Sequence, residues 1–401
     1  MNQKTPLPHG WEWTTLGDVV TDMKDGGTPP RNNPENFGGD IHWAVVKDIR
    51  PEIKTTRETL TERGLNNCSA KVWPVNSVII SLGATIGNVG IAKIPLATKQ
   101  GLSGIVVNNK KISYQYLYYF LLHSKQFILS LASGTTIKEI RPPKLQSALT
   151  IPLPRLAEQK RIVQMLERQL VTVEKARIAA EKRLSEANAL SAATLRAVFS
   201  SAESQKWQRK KIEEVCELIF GQSPPSTYYN KNAQGLPFFQ GKADFGAINP
   251  VPRIWCTHPL RQASPGDILI SIRAPVGPTN VANIDCSIGR GLAALRANKK
   301  IINSDFLLFY LNYTQQQLAE MGSGSTFQAI GKQVLSGHKV PLPPLAQQKR
   351  IADLLGRQLA VAEKLRAVSA AELDDFGALP AALLRMALSI PPIPHHRVIE
   401  A

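Results

Sequence analysis

Apolar residues return at three- and four-residue steps along 151–200, at Ile162, Leu166, Leu170, Val173, Ala176, Ala180, Leu184 and Ala187. The same spacing recurs along 340–389, at Ile351, Leu355, Leu359, Ala362, Leu373 and Phe376. Each stripe is narrow and flanked by Lys, Arg, Gln and Glu, which predicts a long helix seamed to one other helix and not sunk in a large core. Pro-Leu-Pro at 152–154 and at 341–343 forbids helix upstream, since proline lacks the amide donor and pushes its predecessor out of the α region. Aligned without a gap, the two stretches agree at roughly half of their positions, so they are an internal duplication. The pattern predicts a helix of about 35 residues, roughly 50 Å long. Gly377 and Pro380, where the first copy has Asn188 and Ser191, predict that each long helix stops there and that a short helix follows over 190–200 and 380–389.

Between the helical stretches the periodicity changes. SVIISLGATIGNVGIA (77–92) and DILISIRAPVGPTNVA (267–282) each give a β-rich run, a small-residue loop closed by Gly87 or Gly277, and a return run, the signature of a hairpin with an open loop. WAVVKDI (43–49) and FFQGKAD (238–244) are apolar strands running into a lysine. Residues 110–124 and 299–313 read as amphipathic helices whose Tyr116, Tyr119, Phe306 and Tyr310 fall on a packing face. Trp11, Leu16 and Val19 are spaced as Trp207, Ile212 and Val215 are, and the loops SGTTIKEI (133–140) and SGSTFQAI (323–330) precede each Pro-Leu-Pro. The fold class expected is therefore mixed α/β (α+β): two domains in tandem, separated by two long antiparallel helices, with an internal pseudo-two-fold duplication. The expected bounds are 1–150 and 204–339 for the domains, 151–203 and 340–390 for the helical regions, and 391–401 for a flexible tail.

The net charge of +17 and pI near 9.8 favour a polyanionic partner. Nucleic acid comes ahead of a membrane surface, because no run of eighteen apolar residues exists to span one. Cys68, Cys216, Cys256 and Cys286 are isolated, which predicts neither a zinc site nor a disulfide framework and fits a reducing cytoplasm. The opening MNQKTPLPHGWEW lacks the pattern of a secretory leader, and His395 and His396 read as solvated tail residues without a third ligand.

These residues resemble a known family, the specificity subunits of type I restriction-modification enzymes. The resemblance rests on P-L-P-x-L-A-x-Q-K-R-I at 152–162 and 341–351, on Ser-Gly-Thr-Thr at 133–136 and Ser-Gly-Ser-Thr at 323–326, and on G-x-x-P-P at 26–30 and 221–225; it covers essentially the whole chain. It implies two target-recognition domains that each read one part of a split, asymmetric DNA sequence. It also implies helices that set their separation and bind two methyltransferase subunits, and restriction subunits that complete a nuclease. No cofactor is expected in this chain, with S-adenosylmethionine, ATP and Mg on the partners. The motifs agree that catalysis lies elsewhere. There is no N/D-P-P-Y/F tetrapeptide, GSTFQAIGK (324–332) misses the phosphate-loop spacing, and Glu213-Glu214 and Asp374-Asp375 read as solvated pairs, so no catalytic or metal residue is expected. A stand-alone nucleic-acid-binding scaffold is the alternative.

Base edges are read by Arg, Lys, Gln and Asn presented from loops or helix ends. In the first domain the candidates are Thr28 and Arg31 after the Gly-Gly turn, Lys47, Thr85, Lys99, Gln100, and the cluster Thr135, Thr136 and Lys138. In the second they are Gln222, Ser223, Gln240, Lys242, Arg273, Arg290, Ser325, Thr326 and Gln328. Arg273, at the mouth of its loop, and Arg290, between two glycines, lead. Lys47 and Lys242 read equally as phosphate contacts, and Thr135 and Ser325 equally as turn caps. The duplicated Gln159-Lys160-Arg161 and Gln348-Lys349-Arg350 are expected on an outer helix face that binds the same protein partner twice.

Overall fold

The computed structural model describes residues 7–83, 85–133, 138–322 and 329–388. The chain divides into two compact units, one of residues 1–179 with 372–401 and one of residues 180–371, so each division falls inside a long helix. The first long helix runs Leu156–Phe199 and the second Leu345–Ala387, 44 and 43 residues, each about 65 Å at 1.5 Å per residue.

Neither helix stops where glycine and proline predicted a break; residues 190–199 and 380–387 continue the long helices. Pro380 sits inside the second helix. An interior proline costs about 3 kcal/mol, but the apolar stripe continues beyond it. Leu384 and Leu388 are buried in the core of the first unit with Ile162, Val163 and Leu166, and burying two leucines contributes about 3–6 kcal/mol. Packing therefore carries the helix through the weak point. The same positions of the first copy do the same in the second unit, where Leu195 and Phe199 lie in one core with Ala352 and Leu355. In each unit the beginning of one long helix packs with the end of the other, an antiparallel arrangement. Buried or half-buried residues recur every seventh position, at Gln159, Leu166, Val173, Ala180 and Ala187 and at Gln348, Leu355, Ala362, Ser369 and Phe376, the repeat of a two-helix seam.

The first unit holds a five-stranded sheet ordered Val20–Asp25, Leu102–Val107, Val78–Ser81, Val89–Ala92, Glu52–Ile53, and a four-stranded sheet ordered Glu58–Leu60, Phe37–Ala44, Leu96–Thr98, Val72–Trp73. The second holds a four-stranded sheet ordered Cys216–Phe220, Leu292–Ala297, Ile268–Ser271, Thr279–Val281, and a five-stranded one in which Leu236–Phe239 runs parallel to Cys286–Ile288. Both predicted hairpins form, with Val78 opposite Ile91 and Ile268 opposite Val281. Gly87 and Gly277 close their loops with φ of 86° and 98°, where a side chain is strained. The predicted aromatic helices are Tyr114–His123 and Ser304–Tyr313, with Tyr116 and Phe306 fully buried, Tyr310 nearly so and Tyr119 half-buried. A two-stranded ribbon leads into each long helix, Glu12–Thr15 with Thr150–Leu153 and Arg209–Lys211 with Lys339–Pro341.

Gln159 and Gln348 lock each long helix to its own unit. Both are wholly buried. The Oε1 of Gln159 accepts from the Ser113 amide at 2.8 Å, while its Nε2 donates to the carbonyls of Lys111 at 2.9 Å and Pro154 at 2.8 Å. Gln348 repeats this with the Asn303 amide at 2.8 Å and the carbonyls of Ile301 at 3.2 Å and Pro343 at 2.8 Å. Alanine at either position strands a buried amide and two carbonyls, so Gln348→Ala is expected to destabilise the second unit by about 3 kcal/mol in urea unfolding. A loss under about 0.5 kcal/mol would show that water replaces the clamp.

Candidate nucleic-acid interface

In the first unit five separate segments meet at one edge of the sheets. The amide of Gly26 donates to Leu102 O at 2.9 Å, Gly27 to Thr98 O at 3.0 Å and Lys99 to Ala44 O at 3.0 Å. Leu82 donates to Gly101 O at 2.8 Å and Ile140 to Leu82 O at 2.8 Å. The second unit repeats all five bonds, from Gly221 to Leu292 O at 2.9 Å, Gln222 to Ile288 O at 3.0 Å and Gly289 to Phe239 O at 2.8 Å. Ile272 then donates to Gly291 O at 2.9 Å and Ile330 to Ile272 O at 2.9 Å. Gly26 and Gly221 hold the tightest point, because a Cβ on either would stand 2.1 Å from a carbonyl oxygen, of Thr98 or of Gly289.

This junction gathers most of the residues singled out from sequence. In the first unit Thr28, Arg31, Lys47, Thr85, Lys99, Gln100 and Lys138 each lie within four residues of a junction hydrogen bond, Thr28 and Lys99 half-buried and the rest exposed. Lys138 lies on the loop that the paired amides and carbonyls of Ser133 and Glu139 close at 3.1 and 3.0 Å. In the second unit Gln222, Ser223, Gln240, Lys242, Arg273 and Arg290 lie within three residues of a junction hydrogen bond, all exposed but for the half-buried Ser223. Ser223 Oγ accepts from the Arg290 amide at 3.2 Å, and Arg273 bridges to Ala329. Thr135, Thr136, Ser325, Thr326 and Gln328 lie outside the described residues.

Lys47 and Lys242 both sit on single 3-10 turns after a strand, one position out of step, Val46–Asp48 against Lys242–Asp244. Asp48 and Asp244 pin these turns by accepting from the Val45 amide at 2.9 Å and the Gln240 amide at 2.7 Å.

The two junctions share a backbone and differ in chemistry. Arg31 makes a two-pronged ion pair with Glu58, its Nη2 3.2 Å from Oε1, and its guanidinium carbon lies 4.9 Å from the Phe37 ring centre and 5.0 Å from that of Trp43. The hydrogen bond from Arg31 holds the Glu58 carboxyl below the ordinary range. Asp25, at the same edge, accepts from the Gly101 amide at 3.2 Å and Ser103 Oγ at 3.4 Å, yet burial raises its carboxyl. Phe220 precedes the junction glycine in the second unit where Asp25 does in the first. Sequence reading missed Glu58 and Asp25, because neither has a local motif: strand pairing carries Glu58 to Arg31 across 27 residues.

The helical sextet divides. Lys160, Arg161, Lys349 and Arg350 are exposed. Arg161 is paired with Glu158 at 2.7 Å. Gln159 and Gln348 face the opposite way, into the core, and belong to the internal clamp and not to an outer face. Polarity alone suggested an outer position, whereas both glutamines are buried against the start of an aromatic helix in their own unit, at Ser113 and Asn303. Among the described residues no group of three His, Cys, Asp or Glu could hold a metal ion, and no helix is long and apolar enough to cross a membrane.

Comparison with known proteins bears on what such a doubled edge is for. The family model described as the type I restriction modification DNA specificity domain matches twice, over residues 8–182 and 204–362. The putative type I restriction enzyme MjaX specificity subunit of Methanocaldococcus jannaschii is 32% identical over 370 residues, 87% of each chain. Among solved structures, a chain from the type I R-M system, in a structure concerned with complex assembly and conformational transition, is 34% identical with a TM-score of 0.81 over 96% of this chain and 99% of that one. The HsdS subunit of Thermoanaerobacter tengcongensis is 33% identical with a TM-score of 0.64 over 96% and 98%. Two family domains in tandem, the paired long helices and a relative matched over most of its length place this chain in the type I restriction-modification DNA specificity family, as a specificity subunit.

Proposed function

We propose that this subunit reads a split, asymmetric DNA sequence, one half-site at each junction, and that its long helices carry two copies of a methyltransferase subunit to which restriction subunits add. The observation that carries this reading is one five-bond junction built twice with different side chains on it. The same five backbone hydrogen bonds hold both surfaces, while different donors give each surface its own base preference. The charge of +17 supplies the sequence-independent attraction to phosphate. The chain itself performs no chemistry in this reading, and S-adenosylmethionine, ATP and Mg bind on the partners. The exposed Lys160, Arg161, Lys349 and Arg350 are equivalent positions of the two helices, as binding one partner twice requires.

Methylome sequencing of cells expressing the full chain with its methyltransferase partner tests the reading. A split motif with adenine methylated in each half is expected, and a continuous or palindromic motif would sink it. Co-purification should bring down two copies of a larger methyltransferase, where a stand-alone scaffold would purify alone. Arg273→Ala and Arg290→Ala are each expected to relax one half-site only, by about 1–3 kcal/mol if the side chain grips a guanine with two hydrogen bonds. Relaxation spread over both half-sites would remove these arginines from the interface of a single reader.

A further inference from the structure

We propose that Glu58 is a positioning residue for base recognition, holding Arg31 so that the free edge of its guanidinium meets a guanine in the half-site read by the first unit. This rests on the two-reader proposal above. Glu58 engages both terminal nitrogens, Nη1 and Nη2, and so takes the end of the guanidinium. The side edge, the Nε–H with the neighbouring Nη–H, is left with the two-donor geometry that fits guanine O6 and N7. Phe37 and Trp43 lie beside the group at 4.9 and 5.0 Å, limiting its swing. Trp43 is itself wholly buried, and its Nε1 donates to Gly27 O at 3.1 Å, so the support belongs to the junction and not to a mobile loop. Arg31 stays half exposed, 50% by side chain against 34% for Glu58, as a group that must meet a ligand requires.

Two further observations separate this role from that of an ordinary surface ion pair. A carboxylate at an edge that faces phosphate is repelled, so stability or charge alone gives no reason to keep one there. The second unit lacks both members together. Aligning GGTPPR with GQSPPS puts Ser226 in the place of Arg31. Glu58 pairs with Trp43 across the strands, whereas the amide of Phe238, in the place of Trp43, donates to Ile254 O at 2.8 Å, so an isoleucine stands where Glu58 does. Arginine and carboxylate are present as a pair in one reader and absent as a pair in the other, while the five junction hydrogen bonds are common to both.

The test is the base preference of the full chain in complex with its methyltransferase, selected on a randomised DNA duplex library, for Arg31→Ala, Arg31→Lys, Glu58→Ala, Glu58→Gln and the double alanine variant. Arg31→Ala should lower discrimination at a single base-pair position of one half-site by about tenfold or more. Glu58→Ala should relax that same position, Glu58→Gln should do so less, and Arg31→Lys should fail to restore it. The double variant should be no worse than Arg31→Ala, since Glu58 acts through the arginine. Melting temperatures should not move with these changes. Relaxation at a different position on Glu58→Ala, equal weakening of all sequences, or unchanged preference would each overturn the proposal. A wild-type motif that is not split would overturn the two-reader reading, whereas relaxation of one position would still support the clamp.

Discussion

Gly221→Ala is expected to lower methylation of the full target by on the order of a hundredfold, although it adds one methyl group and removes no candidate donor. The added Cβ would stand 2.1 Å from Gly289 O and 2.8 Å from the Leu292 carbonyl oxygen. Both obstacles are backbone, so no side chain can swing aside, and the segments 221–223 and 289–292 must part. Parting them costs about 2 kcal/mol or more in overpacking and breaks the bonds from Gly221 to Leu292 O and from Gln222 to Ile288 O. Gln222, Ser223 and Arg290 are then no longer held on one surface. With one half-site read at each junction, as proposed, a half-site contributes a large part of the roughly 4–10 kcal/mol by which specific binding exceeds non-specific binding, so losing one reader's geometry disables the full site. Gly241→Ala is the matched control: it lies on the same edge, a Cβ there meets nothing within 4 Å, and its φ of −179° is open to any residue. Methylation rates on a duplex carrying both half-sites would be compared, with far-UV melting to show that the rest of the chain stays folded. Equal rates for the two variants would remove the junction from the recognition surface.

The sequence exposed the plan of the molecule because duplication writes each pattern twice. The hairpins at 77–92 and 267–282 and the helices around Tyr116 and Tyr310 are local, amphipathic and bounded by turn residues, so periodicity sufficed for them. Pro380 misled because local propensity speaks for a break there, while the buried Leu384 and Leu388 that overrule it are a tertiary effect. Gln159 and Gln348 misled in the other direction. A polar residue in a basic run suggests solvent, yet a buried glutamine whose hydrogen bonds are all met is as much a part of the core as a leucine. Most of the candidate residues fall beside the junction because loops rich in Gly and Pro follow the strands whose ends form it. Glu58 was invisible, since only strand pairing with Trp43 brings it beside Arg31.

Lengthening both long helices by one seven-residue repeat, after Arg177 and after the equivalent Arg366, is expected to widen the unread gap between the half-sites by about three base pairs. Seven residues add about 10 Å at 1.5 Å each, and a base pair rises about 3.4 Å. Seven is the right unit because buried positions recur at that spacing through Gln159, Leu166, Val173 and Ala180 and through Gln348, Leu355, Ala362 and Ser369. A whole repeat therefore returns each stripe to the seam. Four residues in one helix alone would instead turn that helix's stripe by about 50° against an unextended partner, leaving Ala180 and Ala187 out of phase with the seam they now fill. Such a variant should unfold at a lower urea concentration and methylate no discrete motif. The matched double insertion should keep both half-sites unchanged, because it lies 18 residues along each helix from Gln159 and Gln348, which hold the helices to their units. Methylome motifs read the outcome directly: a gap wider by about three base pairs with the same flanking bases makes the helices the measure of the target. Altered half-sites, or an unaltered gap, would show that the spacing is set elsewhere.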